Sequence, residues 1–199
     1  MYQNKRKTIK HYHQPGDFHE LTFSCYRRMP LLDQDDRRRR LSSHIDRACR
    51  ELAIELVAFV YMPEHIHMLV NPRLPEPQVD RFLARLKQPY SIEMKNLLVA
   101  VQSPLLRRLT VRERPGKHCF RFWQEGPGYD RNINSVEALQ ASVNYIHMNP
   151  VRRGLCEKPT DWPWSSARYY MLEPPRQQFP DLPYIHGFPL GACDHQSDL

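Results

Sequence analysis

Two histidines separated by one residue, His65 and His67, are the first residues in this chain whose spacing invites chemistry. In an extended strand successive side chains point to opposite faces, so the two imidazoles project side by side while Ile66 turns the other way. Such a pair offers two nitrogen donors to one divalent cation. A second pattern lies at Tyr145 and Asn149, four residues apart within a segment of helical spacing and therefore stacked on one helix face. An amide oxygen from Asn149 would complement two imidazole nitrogens. The Tyr145 phenol is a nucleophile of use only where a cation stabilises charge on the group attacked, because its ordinary pKa is near 10.

These residues need rigid elements to hold them, and the hydrophobic pattern supplies candidates. Leu21, Phe23 and Cys25 alternate with Glu20, Thr22 and Ser24, which predicts a half-buried strand. Leu41, Ile45, Ala48 and Leu52 recur at helical spacing behind the acids Asp33, Asp35 and Asp36, so a helix is expected over 33–52. The apolar run Leu56 to Met62, the turn at Pro63-Glu64 and the run Ile66 to Val70 read as two antiparallel strands. A helix is expected from near Pro77 to Val101, interrupted at Pro89.

Further on, the basic segment 107–117 reads as an irregular loop, and the alternation of 120–124 predicts a strand that ends at the turn Gly126-Pro-Gly128. Ser135 caps a helix with Val136, Leu139, Val143 and Ile146 on its apolar side, expected to stop at Asn149-Pro150. Beyond Trp162 there is no clear period, and five prolines between 174 and 189 suggest packed loop and short helix.

Composition narrows the function classes. In 199 residues, 29 lysines and arginines face 22 acids, and the net charge of +7 favours a phosphate-bearing partner. The charge is clustered in Lys5, Arg6, Lys7 and Lys10, then in Arg107, Arg108, Arg112 and Arg114, and again in Arg152 and Arg153 beside the Tyr145 helix. The run 37–40 reads as the solvated side of a helix. Five cysteines without a CxxC pair read as reduced thiols, and with no apolar run of about 18 residues and no export signal the expected setting is cytoplasmic, without a membrane. Tyr129, Trp123 and Trp164 are candidates to stack unpaired bases, although core packing is the commoner role of a tryptophan.

Four motifs together carry a resemblance: Pro63-Glu-His-Ile-His-Met-Leu69; Phe122-Trp-Gln-Glu-Gly126 onward through Tyr129-Asp-Arg-Asn132; Tyr145-Ile-His-Met-Asn-Pro-Val-Arg152; and Asp161-Trp-Pro-Trp-Ser-Ser166. In this order, over about residues 12 to 170, the chain resembles the REP-associated tyrosine transposases, members of the HUH single-strand endonucleases within the IS200-like group. The resemblance implies an α+β fold, a ferredoxin-like antiparallel sheet with helices packed on it. That domain would cover 1–172, with a proline-rich tail at 173–199. It further implies that Tyr145 is the nucleophile and that His65, His67 and Asn149 hold Mg²⁺ or Mn²⁺. The implied substrate is single-stranded DNA carrying palindromic repeat hairpins, cut through a 5′-phosphotyrosine link with a free 3′-hydroxyl. No protein partner is required, and the working unit would be a monomer or homodimer. The basic clusters named above would contact the DNA backbone.

Two rival readings remain. One is a non-cleaving regulator that holds repeat hairpins of DNA or RNA. The other is a metal-dependent hydrolase that uses water and draws further ligands from His11, His13, His118 or His147.

Overall fold

The computed structural model describes residues 16–76, 78–126 and 128–188. The first strand, β1 (Phe18–Ser24), leads through a helical turn at Tyr26–Arg28 into α1 (Asp35–Leu52). β2 (Ile54–Tyr61) and β3 (His65–Pro72) form a hairpin around Pro63-Glu64, and α2 (Val79–Ala100) follows. A short helix α3 (Pro104–Leu109) opens an insertion that contains the hairpin β4 (Thr110–Arg114) and β5 (Lys117–Phe120). The chain then returns to the main sheet as β6 (Tyr129–Ile133), continues into α4 (Val136–Arg152), and ends its regular structure with α5 (Ala167–Met171).

The main sheet has the order β2-β3-β1-β6, antiparallel throughout. With α1 and α2 as the two crossovers this is the ferredoxin-like arrangement, and the fold is α+β as the sequence implied. Alternation divides the side chains of the sheet between two cores. Leu21, Phe23, Phe59, Tyr61, Ile66, Met68 and Val70 face α1 and α2, where Leu41, Ile45, Phe82 and Leu86 meet them. Val60, Met62 and Leu69 face the other way, against Leu139, Val143 and Ile146 of α4. Every residue of β3 is consequently buried, because helices cover the sheet on both faces.

Several expectations from sequence need correction. Segment 107–117 is not an irregular loop: its first residues close α3 and the rest form the β4–β5 hairpin, paired from Thr110↔Phe120 to Arg114↔Lys117. The hairpin stands off the main sheet with mostly exposed side chains, so it lacks the apolar alternation that marks a half-buried strand. The strand expected at 120–124 stops at Phe120; Phe122 and Trp123 instead plug the α2 side of the core, where Trp123 packs against Phe23 and its backbone forms an isolated bridge with Cys25. β6 escaped notice because an edge strand of sequence Tyr-Asp-Arg-Asn-Ile carries almost no apolar pattern.

Both prolines within helices are tolerated. α2 runs through Pro89 unbroken, and the carbonyl of Lys87 nearby accepts from the Ser91 hydroxyl at 2.8 Å and the Trp123 indole at 3.2 Å. α4 passes Pro150 and ends at Arg152, where Arg153 N–H donates to the Asn149 carbonyl at 3.1 Å and Gly154 (φ +66°) closes the last turn.

The arginine run on α1 is only partly a solvated face. Arg38 is buried beside Asp35 and lies over both Trp162 and Trp164, Arg39 pairs with Asp181 at 3.0 Å, and Arg40 bridges Asp36 and Glu93. Of the five cysteines, Cys25, Cys49, Cys119 and Cys156 are free, and Cys193 lies outside the described residues. Among the described residues no helix is long and apolar enough to cross a membrane.

Gly128 is the hinge between the insertion and β6. Its φ of +92° favours glycine, and a Cβ there would run into the backbone carbonyl of Thr22. Gly128→Ala should therefore lower stability by at least about 2 kcal/mol and detach the start of β6. Gly126→Ala, at φ +104° but facing open space, should cost less. Equilibrium unfolding and amide exchange of β6 measure both effects, and equal costs for the two variants would contradict the steric argument.

Candidate active site

The site lies on the face of the sheet that α4 covers. β3 pairs with β1 so that His67 stands opposite Thr22 and His65 opposite Ser24. Each imidazole is held through Nδ1: His67 by the Thr22 hydroxyl at 2.7 Å, His65 by the Glu64 carboxylate at 3.1 Å. Glu64 is in turn fixed by Arg153, which donates to the same oxygen at 2.8 Å. With Nδ1 spoken for, the two Nε2 atoms converge to 3.0 Å.

Burial sets the protonation of the pair. Desolvation, followed by the charges of His65 and Arg28, lowers His67 to about 4. His65 is lowered as well, by burial working against the attraction of Glu64. Glu64 itself is opposed by burial but held below the usual carboxylate range by Arg153 and His65. When Nδ1–H of each ring donates outward, both Nε2 lone pairs point at the same space, an arrangement that a cation between them relieves.

Tyr145 comes from α4. Its ring centroid is 5.4 Å from that of His67, nearly perpendicular to it, and the side chain is 40% exposed. Arg152 lies over the phenol ring, 5.1 Å from its centroid. Asn149 sits one turn after Tyr145 and is buried, with its amide nitrogen donating to the Tyr145 carbonyl at 2.8 Å. The amide therefore presents Oδ1 as its free donor atom, and it makes no hydrogen bond to either histidine among the described residues. No group of three His, Cys, Asp or Glu suited to a metal occurs among the described residues. A cation here would rest on His65 and His67, with non-protein oxygens completing its shell.

Tyr145 and His67 open onto a cavity of about 590 Å³ that also receives Glu20, Thr22, Arg28, Tyr129, Arg131 and Ser142. Sequence reading missed most of these. Glu20 and Thr22 were placed on the wet side of a half-buried strand, yet Glu20 is only 6% exposed and accepts from Arg131 at 2.6 Å and Ser142 at 2.9 Å. The polar face of β1 had looked like a solvent face because α4, which covers it, lies more than a hundred residues downstream. Tyr129 begins β6, pairs with Thr22, and lines the same cavity as Tyr145.

Other sequence candidates are scattered. Arg108 and Arg112 share a groove with Tyr26 and Arg27, whereas Arg107 lines a separate hollow with His118. Arg114 lies on the exposed end of β4. Lys5, Arg6, Lys7, Lys10, His11 and His13 lie outside the described residues. Trp123 and Trp164 are buried core residues, which leaves neither ring free to stack on a base. His147 points away from the histidine pair to Ser166, at 2.8 Å.

Residues 17–108, which include the histidine pair but end before α4, match the family model described as IS200-like transposase. Over those residues the chain is similar to these transposases, and it is also similar to two proteins named as REP-associated tyrosine transposases. A protein of Haemophilus influenzae provisionally named as one is 30% identical over 118 residues, 59% of this chain and 61% of that protein. A REP-associated tyrosine transposase of Escherichia coli K12 is 26% identical over 122 residues, 59% of this chain and 56% of its own length. The chain thus spans less than two thirds of either relative. A solved structure of a REP-associated tyrosine transposase bound to a REP hairpin shares the fold, with a TM-score of 0.60 at 20% identity, covering 82% of this chain and 84% of that one.

The buried imidazoles give a pH dependence of known sign. His67 and His147 are each lowered to about 4 in the folded chain, chiefly by burial, against about 6.5 when unfolded. As the pH falls from about 6.5 to 4 the unfolded chain binds the extra protons, so stability declines, by at most about 3 kcal/mol per group. In the metal-free protein His147→Gln should remove part of that decline. Urea unfolding at about pH 7 and pH 5 measures it; identical slopes for variant and parent would refute the assignment.

Proposed function

We propose that the chain is a DNA-nicking and joining enzyme that acts on single strands bearing repeat hairpins, with Tyr145 as nucleophile. The observation that carries this reading is the Tyr145 ring at 5.4 Å from His67, above two neutral imidazoles whose Nε2 atoms converge to 3.0 Å. A phenol and a cation site on one cavity wall suit attack on a phosphate, and a water-using hydrolase has no use for the phenol. The hairpin bound by the structural relative supports the same substrate class.

In this reading the Tyr145 oxygen attacks a phosphorus of the strand. The new bond is tyrosyl oxygen to phosphorus; the bond that breaks is phosphorus to the 3′-oxygen, which leaves as a 3′-hydroxyl after gaining a proton, while the phenolic proton passes to solvent. Reversal by another 3′-hydroxyl rejoins DNA without an energy cofactor. Arg152, over the phenol ring, can pair with a phosphate brought to Tyr145. Thr22 and Glu64 keep the two imidazoles oriented. His65, His67 and Asn149 would hold Mg²⁺ or Mn²⁺, which as a Lewis acid draws charge from the non-bridging phosphate oxygens.

Incubation with a labelled hairpin strand and Mn²⁺ should yield an adduct that survives denaturation, lost by at least about a hundredfold in Tyr145→Phe and on chelation, with hairpin binding nearly intact. Binding should weaken steeply with salt and favour the hairpin over plain duplex. Strong hairpin binding without adduct would favour the non-cleaving regulator, and adduct lost only in Tyr129→Phe would transfer the nucleophile to β6.

A further inference from the structure

Most arginines near the site are spoken for. Arg131 is bound to Glu20 and Arg153 to Glu64, while the run on α1 is consumed by Asp33, Asp35, Asp36, Glu93 and Asp181. Arg27 and Arg28 differ. Both are exposed, and among the described residues neither has an acidic partner within ion-pair distance. They are consecutive, yet Arg28 lines the cavity of Tyr145 and His67 whereas Arg27 lines the adjoining groove of about 530 Å³ with Tyr26, Arg108 and Arg112.

The backbone that divides them is strained. Arg27 and Arg28 both have φ of +52°, a left-handed conformation unusual for one non-glycine residue and more so for two in succession. Four contacts hold it there: Tyr26 N–H to the Phe122 carbonyl at 2.8 Å, Arg27 N–H to the Gln124 side chain at 3.1 Å, Arg28 N–H to the Cys25 carbonyl at 3.0 Å, and Met29 N–H to the Tyr26 carbonyl at 3.1 Å. Glycine would relax this corner, so the arginines are there for their side chains.

The second groove has the composition of a phosphate site. Its two acids are already engaged, Glu113 by Lys117 at 2.6 Å and Glu125 by Arg121 at 2.9 Å. Arg27, Arg108 and Arg112 are left without acidic partners among the described residues, with the half-buried Tyr26 ring stacked under Arg27 at 5.2 Å. Arg28 lines the same cavity as His67 and Tyr145.

We infer that the Arg27–Arg28 corner is a clamp for successive phosphates of a single strand, Arg28 beside the phosphate that Tyr145 faces and Arg27 on the strand as it passes into the Tyr26–Arg108–Arg112 groove. The role of Arg28 rests on the nicking reading above; strand binding at the corner does not.

The test uses the full chain carrying Tyr145→Phe, titrated by anisotropy with labelled oligothymidylate at several salt concentrations. Arg27→Gln and Arg28→Gln should each reduce the slope of log affinity against log salt by about 0.7, and the double variant by about twice that. Arg39→Gln, which removes a charge already paired with Asp181, should leave the slope unchanged. Arg28→Gly separates fold from function, because it should hold or raise the thermal midpoint while still weakening strand binding. An unchanged slope in the double variant, or an equal loss in Arg39→Gln, overturns the clamp. With Tyr145 intact, Arg28→Gln should lower the adduct rate at saturating hairpin strand by at least about tenfold, and Arg27→Gln should raise only the strand concentration needed. Equal adduct rates in all three proteins overturn the placement of Arg28. Absence of adduct even from the parent chain tells against the nicking reading alone, since the salt slopes still decide the clamp.

Discussion

The constraint on which the rest depends is the enclosure of β3 between two helical layers. A strand buried on one face could carry polar residues outward at no cost, but β3 has no outward face, and His65 and His67 are taken out of water together with Leu69. Desolvation makes both rings neutral, and neutrality makes them donors of lone pairs. A buried polar pair needs partners, which Thr22, Glu64 and Arg153 supply. The register between β1 and β3 thus does two things at once: it closes the apolar core on the side of α1 and sets the Thr22 hydroxyl under His67 on the other.

The strands β1, β2 and β3 and the first two helices are legible in the sequence because their side chains alternate or repeat at the right period, and because β3 carries its histidines at a spacing that only an extended strand brings to one face. What was hidden depends on contacts distant in the chain. Glu20 looks like a solvent-facing residue until α4 is laid over it, and the arginines of α1 look solvated until Asp181 and Glu93 are brought to them. The β4–β5 hairpin and β6 have little apolar content, so periodicity could not reveal them. Pro150 misled for a different reason: in the last turn of a helix a proline sacrifices a single hydrogen bond, and the segment after it can still close on Gly154.

Tyr145 and Asn149 illustrate how far spacing alone can go. A separation of four puts them on one helix, which the structure bears out, but the angular position of that face relative to the sheet is decided by Leu139, Val143 and Ile146. Arg152 over the phenol and Arg153 on Glu64 follow from the same rotation of the helix. Neighbouring arginines of one type consequently have different duties, a distinction of which composition holds no trace.

The phenol and the imidazoles ride on separate elements, α4 and β3, joined through the packing of Val143 and Ile146 with Val60 and Leu69. A methylene gained or lost in that seam alters the gap between Tyr145 and His67 without touching a chemically active atom. Heritable variation can therefore retune reach, or silence it, through aliphatic residues alone, so purifying selection at the proposed nucleophile should extend to the oily contact beneath it.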